Sequence, residues 1–340
     1  MVHDHDSFDR TGNCGIPPPP LEPARSSSPR EEKPLTPFLV RRFASATFTI
    51  WAVFTLSFFI IRSAPGGPFD LEREPAPDIK AAIEARYDLD LPLWKQYVQQ
   101  GWLWLTLDPG PSLRQPDHDV ATILSQGFPV SVLLGGWALV TGILTGMALG
   151  VLSAWRPGSW IDRSVVLFAS LGISLPMYLI AGLLIMTFSF HWNLLPPAGW
   201  TSLASLVLPI TCLALAPAAQ VARLTRSGLL ETSSEDFART AKAKGRSPLS
   251  ILILHCLRPA SIPVASTLGP TAAALLTGSL VVEQIFAIPG IGMHFVQGAM
   301  NRDYPLVLGV VLLYTVLLQV LTLIGDLLIM WLDPRGSDMR

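Results

Sequence analysis

Apolar residues fall in long blocks along this chain rather than in strand-like alternation. A helix of about 20 apolar residues crosses a hydrocarbon core of roughly 30 Å. Six stretches reach that length: 43–61, 128–155, 165–190, 203–222, 260–282 and 306–332. The second carries no charge, and the last is interrupted only by Asp326. Prolines at 176, 209, 217, 263 and 270 lie inside these blocks. Neighbouring helices satisfy the backbone groups a proline frees, so the prolines predict kinked spans. The first block follows Arg41 and Arg42 and lacks a small-residue cleavage pattern, so it reads as a retained helix rather than a secretion signal. The expected fold is an all-α membrane protein of six spans.

The polar stretches between blocks are unequal. Arg156 and Arg163 follow the second block, and Arg223, Arg226, Arg239, Lys242, Lys244, Arg246 and Arg258 follow the fourth. The loop 191–202 has no Lys or Arg, and the loop after the fifth block has only Arg302. Short loops rich in Lys and Arg stay on the cytoplasmic side. Both termini are therefore expected in the cytoplasm and segment 63–127 outside. Trp94, Tyr97, Trp102 and Trp104 in that segment suit a lipid interface, or a small cap over the helices. The expected division is a tail 1–36, a first helix 37–62, the outer segment 63–127, a transmembrane domain 126–333 and a tail 334–340. Four consecutive prolines at 17–20 and mixed charge leave the first tail without a core, so it is expected to be disordered.

Composition agrees with a membrane chain. Of 340 residues, half are hydrophobic and 14% charged, against about 25% charged in soluble domains. Mean hydropathy is +0.44. The net charge of −1 gives no reason to expect nucleic-acid binding. Cys14, Cys212 and Cys256 are scattered and odd in number, which argues against a disulfide framework or a thiolate metal site. The string HDHD at 3–6 has no further ligands nearby, so no metal is expected.

One charged segment stands out against the apolar background, Glu235-Asp236-Phe237-Ala238-Arg239-Thr240-Ala241-Lys242-Ala243-Lys244-Gly245. Thr232 and Glu235 have capping-box spacing, Asp236 suits the positive end of a helix, and Gly245 is a stop. Ser247-Pro248 opens a second helix. A helix of about three turns along the cytoplasmic surface is predicted. Phe237, Ala238 and Ala241 form a small apolar ridge flanked by Arg239, Lys242 and Arg246. A basic helix on anionic lipid has this pattern, and so does an element made to dock in a groove on a cytoplasmic partner.

The segment DFARTAKAKG followed by LHCLRPASIPV resembles the cytoplasmic loop of ATP-binding-cassette (ABC) importer permeases, in the form found in the B subunits of bacterial oligopeptide and dipeptide permeases. SAPGGPFD (63–70), IEARYDLDLPLWKQY (83–97), DPGPS (108–112), GSLVVEQIFAIPGIG (278–292), NRDYP (301–305) and LDPR (332–335) extend the resemblance over about 38–335, nearest the oligopeptide branch. It implies a type-1 permease fold in a bacterial inner membrane and a homologous second permease subunit. It also implies two ATPase subunits that hold ATP and magnesium, and an extracytoplasmic peptide-binding protein. The chain itself would carry no cofactor and no catalytic residue. Glu235–Gly245 would be the coupling helix within loop 223–259. The chain departs from the general loop pattern at Arg239 and Thr240, where that pattern has Glu and Ala, and Pro259 lies one place late. No role of that Glu carries over. The tail 1–36 has no counterpart.

Other residues invite a role. Gly142, Gly146 and Gly150 recur every fourth residue, which lets helices approach closely, within the bundle or against a sister subunit; a pore-lining stripe is the alternative. Glu283, at the outer end of its span, is solvated at the interface or lines an outer gate with Pro289, Gly290 and Gly292, where a binding protein would also dock. Asp326 is expected to pair with a nearby base, and His255 to lie at the surface. Rival functions find little support. No phosphate-binding G-x-x-x-x-G-K-[ST] loop and no H-E-x-x-H or G-x-S-x-G motif is present. A proton-driven carrier needs midplane acids and a repeat, and the only intramembrane acids lie off-centre. Within the family, cargoes of nickel, glutathione or a peptide antibiotic stay open beside peptides.

Overall fold

The computed structural model describes residues 35–63, 88–115 and 118–332. The HDHD string, Cys14, most of SAPGGPFD and the C-terminal Arg335 and Arg340 lie outside the described residues. Among the described residues the regular structure is helical, without strands.

Helix α1, Leu35–Ser63, is followed by α2, Leu93–Leu105, within segment 63–127. Helix α3 runs Val120–Trp155, starting eight residues before the apolar block that predicted it, with Pro129 inside. Helix α4 is Trp160–Ser174 and α5 is Met177–His191, whose last part is a π-helix. Helix α6 is Leu203–Thr232 and α7 is Asp236–Ala243. Helix α8, Pro248–Ala260, leads into α9, Ile262–Ile285. Helix α10 is Ile291–Met300 and α11 is Tyr304–Leu332. Four helices are long and apolar enough to cross a membrane singly, and the bent pairs α4–α5 and α8–α9 bring the total to at most six spans.

The kink expected within 165–190 is corrected to a full break: α4 and α5 meet at 113°. Leu175 is extended with ψ 133° and Pro176 caps α5. Proline disfavours the α conformation in the residue before it, and a helix ends there unless packing holds it. Pro209 and Pro217 lie within an unbroken α6, where packing holds the helix on both sides. The bend between α8 and α9 is 55°, at Ser261.

Helices α3 and α6 form the centre. Cβ atoms built on Gly142, Gly146 and Gly150 would lie 3.0 Å from Pro217 Cβ, 2.6 Å from Ala218 O and 2.6 Å from Thr225 Cβ. These glycines therefore face α6 of the same chain. Two further contacts set the ends. Arg42 of α1 pairs with Asp326 of α11 at 2.7 Å, so the start of the first helix and the end of the last lie together. In α2 Trp94 and Trp102 are exposed, whereas Tyr97 bonds Thr55 at 2.9 Å and Trp104 packs on Val120, Leu306 and Leu308. Tyr97 and Trp104 thus fasten α2 to the spans instead of resting in lipid. The DPGPS and NRDYP motifs are clasped to each other. The Ser112 hydroxyl donates to Asp303, whose other oxygen accepts the Leu113 amide at 3.2 Å, and Arg114 Nε donates to Asn301 O at 2.8 Å.

Candidate functional site

The charged segment forms an eight-residue helix, α7, about two turns rather than three. The capping-box reading is corrected as well. Thr232 is the last residue of α6 and its hydroxyl donates back to Gly228 O at 2.8 Å, so it is not available to cap α7. Glu235 is the N-cap residue, without a side-chain capping bond. Packing of α6 against α8 carries the longer helix past the expected boundary: Gly228 touches Ala260, and a Cβ there would lie 3.0 Å from Ala260 O.

The stop is built as the sequence predicts. Gly245 has φ +78°. Its amide bonds Lys242 O at 3.0 Å and the Arg246 amide bonds Ala241 O at 3.3 Å. That bond pair is a Schellman motif, which satisfies the last carbonyls of the helix. Ser247 then caps α8, its side chain accepting from the Ser250 amide, with Pro248 at the first position.

The two faces of α7 divide the predicted apolar ridge. Ala238 and Ala241 are buried against Ala154 of α3, Leu229 of α6 and Ile251, Leu252 and Cys256 of α8. These alanines attach α7 to its own chain, because the ends of α3, α6 and α8 offer an apolar floor that admits only small side chains. Phe237 points away and is 45% exposed. Glu235, Asp236, Arg239, Thr240, Lys242 and Lys244 are exposed too. Asp236 and Arg239 approach to 3.6 Å in open solvent, a pair worth little. The outward surface is thus one aromatic ring among several cations.

At the far end of the bundle, Glu283 is fully buried rather than solvated. Its Oε2 accepts the Gly292 amide at 2.7 Å, and Ser131 Oγ of α3 accepts the Ile291 amide at 2.9 Å. Both donors belong to the first turn of α10, where orphan amides and the helix dipole favour an anion. Gly290 and Gly292 are buried against this carboxylate, and a side chain at either would run into Glu283. Pro289 is exposed. Replacing Glu283 by Ala removes the acceptor of a buried amide, which costs about 1–3 kcal/mol. Hydrogen exchange over 291–300 is expected to quicken about tenfold, 1.4 kcal/mol being tenfold, with the rest of the chain unchanged. Unaltered exchange there would show that the carboxylate does not hold the turn.

Residues 146–337 match the family model described as "Binding-protein-dependent transport system inner membrane component". The Bacillus subtilis dipeptide transport system permease protein DppB is 42% identical over 298 residues, covering 88% of this chain and 97% of its own length. The oligopeptide transport system permease proteins OppB of Haemophilus influenzae and Salmonella typhimurium are 38% and 39% identical, with 88% and 98% covered. The chain belongs to the family of binding-protein-dependent transport system inner membrane components. Two solved inward-facing structures of the MetNI methionine ABC transporter share the fold, with TM-scores of 0.51 and 0.50 at 19% and 21% identity; each covers 62% of this chain and 96% of its own.

This permease is a non-catalytic membrane subunit of an ABC importer, and its candidate site is α7 with the helices that hold it. Sequence reasoning missed one pair that bears on this. Asp162, buried at the start of α4, accepts from Arg226 Nε at 2.6 Å and Nη2 at 2.9 Å, from the Gly158 amide at 2.8 Å and from Ser153 Oγ at 2.5 Å. It ties the α3–α4 turn to α6 just before α7. The spacing Ser159-x-x-Asp162 was the available signal, since Ser159 caps α4 by accepting the Asp162 amide.

Proposed function

We propose that this permease imports peptides, dipeptides or oligopeptides, across a bacterial inner membrane. It pairs with a homologous permease subunit above two ATPase subunits that bind ATP and magnesium, and it receives cargo from an extracytoplasmic binding protein. The observation that carries this reading is the two-faced α7. Its alanines are committed to its own chain, while Phe237 and the cations face outward, with only Arg239 near an acid, the exposed Asp236 at 3.6 Å, among the described residues. A helix so mounted transmits a push on its outer face directly to α3, α6 and α8.

Family membership supports partner ATPases and a binding protein in general, and the relatives' names support peptide cargo. The cytoplasmic placement of α7 follows from the basic loops, and the Arg42–Asp326 pair supports both termini on that same side. The proposed division is the tail 1–36, the first helix 37–62, the outer segment 63–127, the permease domain 126–333 and the tail 334–340, with α3 beginning within the outer segment. Glu283, with Pro289, Gly290 and Gly292, frames an outer turn suited to gating and binding-protein contact.

A proton-driven carrier is disfavoured because Asp326 is paired with Arg42 and Glu283 is committed to a helix end. Proteoliposomes carrying the assembled transporter are expected to take up labelled di- and oligopeptides only with ATP inside and binding protein outside. Uptake by this chain alone under a pH gradient would refute the reading; uptake of nickel, glutathione or a peptide antibiotic in place of peptides would refute the cargo.

A further inference from the structure

Beside α7 lies a hollow of about 230 Å³ lined by Phe237, Thr240, Ala241, Lys244, Arg246 and His255. Three basic side chains converge on it: Lys244 and Arg246 flank the Gly245 turn, and His255 comes from α8. All three are exposed, and among the described residues none forms an ion pair. The acids of the segment, Glu235 and Asp236, sit at the opposite end of α7 and do not line the hollow. Over the twelve residues 235–246 the acids stand at one end and a basic, aromatic-walled recess at the other.

We propose that this recess receives a carboxylate side chain of the ATPase subunit, seated among Lys244, Arg246 and His255 with Phe237 as its apolar wall. The proposal rests on the docking role of α7 and names the partner chemistry at that site. A hollow of this size, open to solvent, admits a side chain and its approach. The lining carries three basic side chains and no acid, so charge complementarity selects an acidic side chain, and the docking role of α7 selects the ATPase as the chain that presents it. Guanidinium and ammonium donors favour a carboxylate by charge-assisted hydrogen bonds.

The test uses the full transporter with its own ATPase subunits. In a Lys242→Arg background, a zero-length carbodiimide is expected to join Lys244 Nζ to an Asp or Glu of the ATPase, mapped by mass spectrometry, and Lys244→Arg abolishes the product. The double reversal Lys244→Glu/Arg246→Glu is expected to lower ATPase co-purification at least tenfold at physiological salt, whereas Lys244→Arg/Arg246→Lys retains it. A missing cross-link together with normal co-purification of the reversal variant overturns the inference, as does a reversal that instead strips co-purified phosphatidylglycerol and leaves the ATPase in place. Phe237→Asp separates the levels. If it releases the ATPase while the reversal does not, only the carboxylate assignment falls; if it too leaves the ATPase bound, the docking role itself falls.

Discussion

Phe237→Asp is expected to release the ATPase subunits from the membrane subunit while leaving the permease folded. Phe237 is 45% exposed and supports no core of its own chain, so the bundle loses nothing when the ring goes. A docked interface loses an aromatic anchor and gains a charge in what becomes a desolvated contact. Anchors of this kind are worth about 2–4 kcal/mol, or roughly 30- to 1,000-fold in association at 1.4 kcal/mol per tenfold. Gly245→Pro is expected to act on the same contact through the backbone. Gly245 holds φ +78°, whereas proline is fixed near −65° and has no amide. The Gly245-to-Lys242 bond at 3.0 Å is lost, and the α7–α8 turn is re-aimed. Co-purification with the ATPase and ATP-driven uptake should both collapse in each variant, with helical circular dichroism unchanged. Normal ATPase association in either would contradict the docking role.

Gly146→Leu and Gly150→Leu should damage the fold itself. A Cβ at Gly146 would lie 2.6 Å from Ala218 O and 2.7 Å from Val221 Cβ; at Gly150 it would lie 2.6 Å from Thr225 Cβ and 2.8 Å from Ala222 O. Backbone carbonyls cannot step aside as a flexible side chain does, so α3 and α6 must separate. Overpacking costs about 1–3 kcal/mol and at times more, and here it strikes the pair at the centre of the bundle. Gly136 is the control, because nothing lies within 4 Å of a Cβ there. Thermal unfolding in detergent should fall sharply for the 146 and 150 variants and scarcely for Gly136→Leu. Equal stability of all three would show that the glycines do not set the helix approach.

The parts of this molecule legible in the sequence are those decided locally. Apolar block length gave the long helices, Gly245 with Ser247-Pro248 gave the α7–α8 turn, and four-residue glycine spacing gave a close-packing stripe. The parts that were not legible depend on distant partners. The pattern Phe237–Ala238–Ala241 reads as one apolar ridge until the ends of α3, α6 and α8 supply a floor that takes the two alanines and leaves the ring outside. Pro176 breaks a helix while Pro209 and Pro217 do not, and only the packing around each separates the cases. Asp162 and Arg226 are 64 residues apart. Glu283 looked solvated because its acceptor role requires the α10 turn to fold back over it.

The most direct test asks where α7 lies and what covers it. A single cysteine at Lys242→Cys, in a Cys14→Ser background with the native Cys212 and Cys256 both buried, is treated with a membrane-impermeant maleimide. The account predicts no labelling in intact cells, labelling in inside-out vesicles stripped of ATPase, and protection when the ATPase is restored. Labelling from outside intact cells, or labelling in vesicles indifferent to the ATPase, would contradict it.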